Sequence, residues 1–182
     1  MNLVTVESFG LGVQGWAGES RPVPERLLKP GSTAGPTPKP HDGFFTSTLH
    51  EGDCSTAWID YSKVHGLDRE SAGRLLWMLA PQPDATLYVI NGEEDYEELS
   101  SQYPKRWDPP VKSPVVAPDW NRIANLVGGQ IDGIHVIELA ASSSWLRGWD
   151  VESTLWLRWS FVGGPACVAD IGERWEIFRR GP

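Results

Sequence analysis

The feature that most constrains the fold is an alternating stretch near the C-terminus. In residues 151–161 (VESTLWLRWSF), apolar or small side chains at every second position alternate with an acid, a hydroxyl, an indole and a base. This period of two is that of a β-strand, because successive side chains point to opposite faces of a sheet. The stretch therefore predicts a strand with one face in the core and a polar face. That polar face would carry Glu152, Thr154, Trp156 and Arg158.

Further strands and helices are predicted along the rest of the chain. Aromatic and β-branched runs predict strands at residues 2–9, 44–48, 86–90, 131–139, 168–171 and 175–178. Apolar residues at helical spacing predict helices at residues 56–65, 68–79, 93–103 and 119–127, the first of them capped by Ser55. Because strands and helices mix without a regular alternation, the pattern predicts an α+β fold.

A long segment rich in Gly and Pro, residues 10–42, separates the first two predicted strands. Proline lacks a backbone donor and glycine favours turns, so no regular structure is predicted here apart from a turn at residues 25–28. Loops of this length inside a domain are usually functional or disordered. The prediction is a single domain over residues 1–182 with an irregular arm at residues 10–42.

Tryptophan is the unusual part of the composition, with 10 Trp in 182 residues. Each indole supplies a large contact area and an N–H group that needs a partner, so such chains build cores or clefts walled by indoles. With 40% hydrophobic and 22% charged residues, the chain has the composition of a globular protein.

The formal net charge of -8 disfavours general binding to nucleic acids, because an acidic surface repels phosphate backbones. No apolar run approaches the roughly 20 residues of a membrane span, and the N-terminus does not resemble a signal peptide. We therefore expect a cytoplasmic protein without a membrane partner. Cys54 and Cys167 would allow one disulfide, but two unpaired thiols in a reducing compartment are the expectation.

Common catalytic signatures are absent from the sequence: it has no P-loop, GxGxxG, HExxH, CxxC or G-x-S-x-G. The four His are scattered without ligand spacing, so no metal site is predicted. Cys54 follows Glu51 and Asp53, whose negative charges would disfavour a thiolate, so it is a poor candidate nucleophile.

Two short segments remain as candidates for chemistry. Residues 43–48 (GFFTST) are followed by residues 55–58 (STAW), and residues 150–155 (DVESTL) lie near the C-terminus. In these segments, and in their order, the chain resembles the ADP-ribosyltransferase-like family. That family has a Gly-aromatic-aromatic-Thr/Ser-Ser strand followed by a helix, and a later strand that carries the catalytic Glu.

The resemblance implies a fold of two small, mostly antiparallel sheets packed with short helices, and NAD as the substrate. Glu152 would be catalytic, Phe45, Thr46 and Ser47 would line the nicotinamide pocket, and Asp150 would be a second polar acceptor. Family members usually hold the dinucleotide with an Arg or His on the first strand. Residues 2–9 contain neither, so Arg21 is the nearest substitute.

The function predicted from this resemblance is cleavage of NAD and transfer of ADP-ribose to an unknown acceptor or to water. The acceptor would be a macromolecule, and a protein is the expectation. The alternative is a non-enzymatic inhibitor or immunity-type protein whose acidic surface masks a basic partner, with exposed Trp residues as anchors. A third hypothesis is a family member that keeps the fold without the activity. The first two differ on whether Glu152 lines a concave pocket together with Thr46 and Ser47 or lies on a flat, convex surface.

Overall fold

The structure is a computed structural model of the 182-residue chain. It describes residues 2–26, 30, 39–40, 42–50, 52, 54–66, 73–105, 117–126, 130–143, 146 and 148–171. In chain order the elements are β1 (Leu3–Thr5), α1 (Val6–Phe9), β2 (Gln14–Gly18), a 3₁₀ turn (Pro24–Arg26), β3 (Phe44–His50), β4 (Ser55–Thr56), α2 (Ala57–Val64), β5 (Leu75–Pro81), β6 (Thr86–Ile90), α3 (Glu93–Gln102), α4 (Trp120–Leu126), β7 (Gly133–Val136), α5 (Glu138–Ala141), β8 (Ser153–Trp156) and β9 (Phe161–Asp170).

The described strands form one nine-stranded sheet in a mixed α and β fold. The order is β1-β6-β7-β8-β3-β2-β5-β9, with β4 paired to β3. Every pair is antiparallel except β6 with β7, so the expected antiparallel character is confirmed. The two separate small sheets that were expected are not seen.

Strand β3 joins the two halves of the sheet. Its first residues, Phe44 to Thr46, pair with β8, while Ser47 and Thr48 pair with β2. β3 lies between β8 and β2 in the strand order, so side chains from both of these strands meet around it.

The central strands are buried on both faces. On β6, Tyr88 and Ile90 pack into one apolar cluster with Trp120 and Trp149, whereas Leu87 and Val89 pack into another with Phe44 and Trp156. Alternate side chains of β6 therefore pack into two cores on opposite faces of the sheet, as expected for a central strand.

Several predicted elements are confirmed. β3 and β6 form where strands were predicted, and helices α2, α3 and α4 agree with the predicted helices to within one or two residues. Tyr96 and Leu99 of α3 are buried, as their spacing predicts. The N-cap of α2 is Thr56 rather than Ser55: the Thr56 side chain accepts a hydrogen bond from the backbone N–H of Ile59 at 3.3 Å.

The prediction of an irregular arm at residues 10–42 was wrong for β2. Gln14–Gly18 lies between β3 and β5 and is paired on both sides. The glycines that argued against a strand are needed for packing. A Cβ on Gly15 would collide with Thr56 Cγ2, and one on Gly18 would collide with the indole of Trp16. Glycine in a strand often marks such a close approach.

The predicted helix at residues 68–79 was also wrong where the structure describes it. Leu75–Pro81 forms β5, which pairs with β2 and β9, while residues 68–72 lie outside the described part. Buried Leu76 and Leu79 are three residues apart, a spacing typical of a helix. The pairing of β5 with β9 shifts register between them, and a β-bulge of this kind re-aims side chains and mimics the helical period.

The alternating stretch at residues 151–161 forms a shorter strand than predicted. β8 covers Ser153–Trp156, residues 157–160 turn, and β9 begins at Phe161. The predicted polar face is wrong, because Thr154 and Trp156 are as buried as Leu155. β8 lies between β7 and β3 with a core on each face, so tertiary packing covers both sets of side chains.

Three other boundaries differ from the predictions. The second half of the first predicted strand is helix α1, where Thr5 and Ser8 form a capping box. The strand predicted at residues 131–139 ends at Val136, and α5 follows. β9 begins earlier than the strand predicted at residues 168–171, and residues 175–178 lie outside the described part.

Each of the seven tryptophans in the described part of the chain is at least half covered. Trp120, Trp149 and Trp156 are fully buried, and the side chains of Trp16, Trp58, Trp77 and Trp159 are partly buried. Cys54 and Cys167 are free thiols. Among the described residues, no helix has the length and apolarity to cross a membrane.

We expect Gly15→Ala to lower the free energy of unfolding by about 1–3 kcal/mol, because the new methyl group overlaps Thr56 Cγ2. Thr56 cannot rotate away without losing its cap on α2. Gly12→Ala is the matched control, since its Cβ would lie 3.5 Å from Thr48 Cγ2, an ordinary contact. Urea denaturation measures both variants; equal stabilities would contradict the close packing of β2 on Thr56.

Candidate active site

The two segments behind the family resemblance lie on paired strands. Phe44, Phe45 and Thr46 of β3 pair with Trp156, Leu155 and Thr154 of β8. Extending this antiparallel register by two residues brings Glu152 opposite Thr48. Sequence positions about a hundred residues apart therefore meet in the centre of the sheet.

The Glu152 carboxylate is held by a single residue of β3. Its Oε2 accepts a hydrogen bond from the backbone N–H of Thr48 at 3.0 Å, and its Oε1 accepts one from Thr48 Oγ1 at 3.1 Å. The Ser47 hydroxyl donates to the backbone carbonyl of Glu152 at 2.8 Å. With both carboxylate oxygens bonded and its backbone tied to β3, Glu152 has a defined orientation.

Burial raises the pKa of Glu152, because its side chain is only 13% exposed and the charged form loses hydration. The two hydrogen bonds from Thr48 oppose this shift, since they stabilise the carboxylate, while the nearby charge of Glu138 raises the pKa further. A buried carboxylate with a shifted pKa at the edge of a cavity is a candidate functional group.

His135 of β7 lies beside this carboxylate. Its Nδ1 is 2.9 Å from Thr154 Oγ1 and 3.6 Å from Glu152 Oε1, and its ring packs edge-on against Phe9 with centroids 5.0 Å apart. Burial lowers the pKa of His135 to about 4, so the imidazole is neutral at pH 7. Its proximity to Glu152 is therefore a polar contact and not an ion pair.

Gln14 of β2 connects these groups to the other strands. Its side-chain oxygen accepts hydrogen bonds from the hydroxyls of Thr46 at 2.7 Å and Thr154 at 3.3 Å. Its amide nitrogen donates to the Gly12 carbonyl at 3.1 Å and to Thr48 Oγ1 at 3.3 Å. Gln14 is fully buried, and these four partners fix the orientation of its amide group.

We call this set of side chains the polar network. Its members lie on strands β2, β3, β7 and β8 or directly before β8, and each makes a direct polar contact with another member. They are Gln14, Thr46, Thr48, His135, Glu152, Thr154 and Trp156.

The hydrogen bonds of the polar network have consistent directions. Trp156 Nε1 donates to Thr46 Oγ1 at 2.8 Å, and Thr46 in turn donates to Gln14. Because the Thr154 hydroxyl also donates to Gln14, Thr154 Oγ1 is free to accept from His135. The imidazole tautomer that fits these directions carries its hydrogen on Nδ1, the nitrogen that faces Thr154.

A first cavity, the aromatic cavity, lies beside β2 and β3 and has a volume of about 230 Å³. Aromatic rings, hydroxyl-bearing side chains and one lysine contribute to its lining: Trp16, Phe45, Trp58, Thr46, Ser47 and Lys39. Such a mixture of flat apolar walls with a few polar groups is typical of small-molecule sites.

A second cavity, the acidic cavity, has a volume of about 540 Å³. Strand β3, helix α2 with its C-cap, helix α5 and the segment before β8 contribute carboxylates, two imidazoles and a phenol to its lining: Asp60, Glu138, Asp150, Glu152, His50, His65 and Tyr61. Val151 lines both cavities, so they are neighbours.

The site residues predicted from the sequence are divided between the two cavities. Phe45, Thr46 and Ser47 line the aromatic cavity, whereas Glu152 and Asp150 line the acidic cavity. Arg21 is exposed, lies against Gly164 of β9 and is not part of either lining. The structure thus brings Glu152 next to the β3 residues, with the Ser47–Glu152 hydrogen bond between the cavities.

Sequence reasoning missed Gln14, Trp16 and Lys39, because all three lie in the segment predicted to be irregular. His135 was weighed only as a metal ligand. Its position between apolar residues on a strand was the one signal of a buried imidazole. Within the described part of the chain, no group of three or more His, Cys, Asp or Glu side chains could hold a metal ion.

No protein-family model, curated protein or solved structure matches this chain.

The contribution of His135 to the stability of the fold should fall as pH decreases from 6.5 to 4. The pKa of His135 is about 4 in the folded chain, against an ordinary 6.5, so the unfolded chain binds the proton more readily in this range. This contribution is fully present above pH 6.5 and decreases by about 3 kcal/mol as pH reaches 4, since one pKa unit corresponds to about 1.4 kcal/mol. Glu152, whose pKa is raised, changes the stability in the opposite direction, so the comparison with a His135 variant isolates the contribution of His135.

Urea denaturation of the wild type and of His135→Gln at several pH values measures this dependence. We expect a flatter stability profile between pH 4 and 6.5 in the variant, at a lower overall stability. His65→Gln is the control, because His65 is exposed. Parallel profiles for the wild type and His135→Gln would show that folding does not lower the pKa of His135.

Proposed function

We propose that the chain is an ADP-ribosyltransferase-like enzyme that cleaves NAD and transfers ADP-ribose to a protein acceptor or to water. One observation carries this proposal. Glu152 is fixed by Thr48 on the strand that carries Thr46 and Ser47, at the boundary between an aromatic and an acidic cavity. The two segments of the resemblance could have been distant in the fold, and they are paired.

The proposed chemistry needs a fixed negative charge. Cleavage of the nicotinamide–ribose bond sends its electron pair to the nicotinamide and leaves an oxocarbenium-like ribose, as in glycoside cleavage. The acceptor nucleophile then forms the new bond at that carbon and loses its proton. A carboxylate held in place beforehand stabilises the positive charge without reorganising during the reaction. Burial raises the pKa of Glu152 and opposes ionisation, whereas the two Thr48 donors favour the ionised form that this role requires.

The aromatic cavity suits the nicotinamide ring. Trp16, Phe45 and Trp58 offer flat apolar surfaces for stacking. The Ser47 hydroxyl hydrogen is committed to Glu152, but its oxygen can still accept a hydrogen bond from a carboxamide N–H. Thr46 differs, because its hydroxyl already donates to Gln14 and accepts from Trp156. Thr46 would therefore shape the cavity and donate no hydrogen bond to the ligand.

The alternative of a non-enzymatic binding module has less support. It required exposed Trp anchors, and each of the seven described Trp residues is buried or partly buried. It also required Glu152 on a flat surface, whereas Glu152 lines the acidic cavity. The enzyme hypothesis expected Thr46 and Ser47 in that same cavity, and they line the neighbouring aromatic cavity instead. A family member without activity shares the same geometry, so only a measurement of turnover separates it from the enzyme.

The test is NAD consumption by the purified protein, followed by the release of nicotinamide. We expect Glu152→Gln to lower the turnover by about 10²–10³-fold, because an amide cannot supply the negative charge that stabilises the developing cation. Glu97→Gln is the control, because Glu97 lies on the exposed face of α3. This substitution removes the same charge at a position away from the site. Its turnover should equal that of the wild type.

The melting temperature of each variant checks that the loss is not due to unfolding. Turnover in the wild type that Glu152→Gln leaves intact would remove Glu152 from the mechanism. No nicotinamide release by the wild type, together with no NAD-dependent rise in its melting temperature, would contradict the proposed function.

A further inference from the structure

A ligand with a diphosphate group needs a nearby cation, and this chain has a net charge of -8. The first predicted strand, residues 2–9, has no Arg or His, and Arg21 is not part of the lining of either cavity. Among the described residues that line the aromatic cavity, only Lys39 carries a positive charge. Lys39 is therefore the basic group best located to meet an anionic part of a ligand there.

The packing of Lys39 directs its ammonium group. Its Nζ lies 4.8 Å from the ring centroid of Phe45 and 5.8 Å from that of Trp149, distances at which a cation is attracted to aromatic faces. Its aliphatic stem packs on Gly148, where an added Cβ would lie 3.4 Å from Lys39 Cβ. The Lys39 side chain is thus supported by strand β3, through Phe45, and by the segment before Glu152, through Gly148 and Trp149.

The surroundings of Lys39 strengthen its interaction with an anion. The side chain is partly buried, and burial lowers the pKa of Lys39 while the negative charge of Asp150 opposes that shift. In a partly desolvated position, a charge interacts more strongly than it does in bulk water. An incoming phosphate would add a second negative charge beside the ammonium and would favour its protonated form.

We infer that Lys39 binds the phosphate next to the nicotinamide riboside of the ligand, in the role that the resemblance would otherwise give to a first-strand Arg or His. This inference rests on the proposed function and names a binding residue for the same site. The ring of Phe45 would then contact both groups, because it packs against the Lys39 ammonium and also lines the cavity proposed for nicotinamide.

The experiment compares two ligands that differ by one phosphate group. Nicotinamide riboside and nicotinamide mononucleotide share the ring and the ribose, and only the mononucleotide carries a phosphate. Isothermal titration measures their affinities for the wild type, Lys39→Met, Lys39→Arg and Lys105→Met, with chromatography to verify that the ligands remain intact. Lys105→Met is the matched control, because Lys105 is not part of the lining of either cavity.

We expect the wild type and Lys105→Met to bind the mononucleotide about tenfold more tightly than the riboside, because the phosphate makes a charge-assisted contact. Lys39→Met should bind the two ligands equally, with an unchanged affinity for the riboside, and Lys39→Arg should keep the preference. Higher salt should reduce the preference of the wild type, since ions screen a partly exposed pair. In the NAD-consumption assay, Lys39→Met should raise KM about tenfold with little change in kcat.

Three results would overturn the inference. These are equal binding of the two ligands by the wild type, a preference that survives in Lys39→Met, and equal weakening of both ligands in that variant. If NAD is turned over with an unchanged KM in Lys39→Met, only the role of Lys39 fails. If the phosphate preference depends on Lys39 but NAD is not turned over, the proposed enzyme activity fails and the role of Lys39 stands.

Discussion

The pairing of β3 with β8 is the interaction on which the rest of the structure depends. Its register places Thr46 opposite Thr154 and brings Thr48 to the Glu152 carboxylate. A slip of one residue would move every side chain of a strand to the other face, because the side-chain period is two. Trp156 would then leave its apolar cluster, and the polar network would lose its partners on β8. The same register therefore determines the core and the candidate site.

The polar network is the other constraint, because it lies inside the protein. An unpaired buried polar group costs roughly 1–3 kcal/mol, so a network at this depth is tolerated only if its members bond to one another. Gln14 meets this condition by accepting from two threonines and donating to a third. It also joins β2 to the strands that carry Glu152, which connects the position of the carboxylate to a strand in the glycine-rich segment.

Sequence patterns predicted the elements that local interactions define. Helix α3 was predictable because its acidic first turn and its spaced apolar residues, Tyr96 and Leu99, agree with a helix in isolation. Strand β2 was not predictable, since its glycines make a poor strand until Thr56 and the Trp16 ring occupy the space that they leave. Strand β5 was misread because a register shift in its pairing with β9 gives buried Leu76 and Leu79 a helical spacing.

For the candidate site, the sequence by itself singled out Glu152, Thr46 and Ser47, because a short resemblance depends only on which residues follow one another. Only the tertiary structure decided that Glu152 is bonded to Thr48, that His135 is neutral beside it, and that Lys39 faces an aromatic cavity. These properties arise from contacts between strands distant in sequence and from burial. Neither is encoded in the local pattern of a single segment.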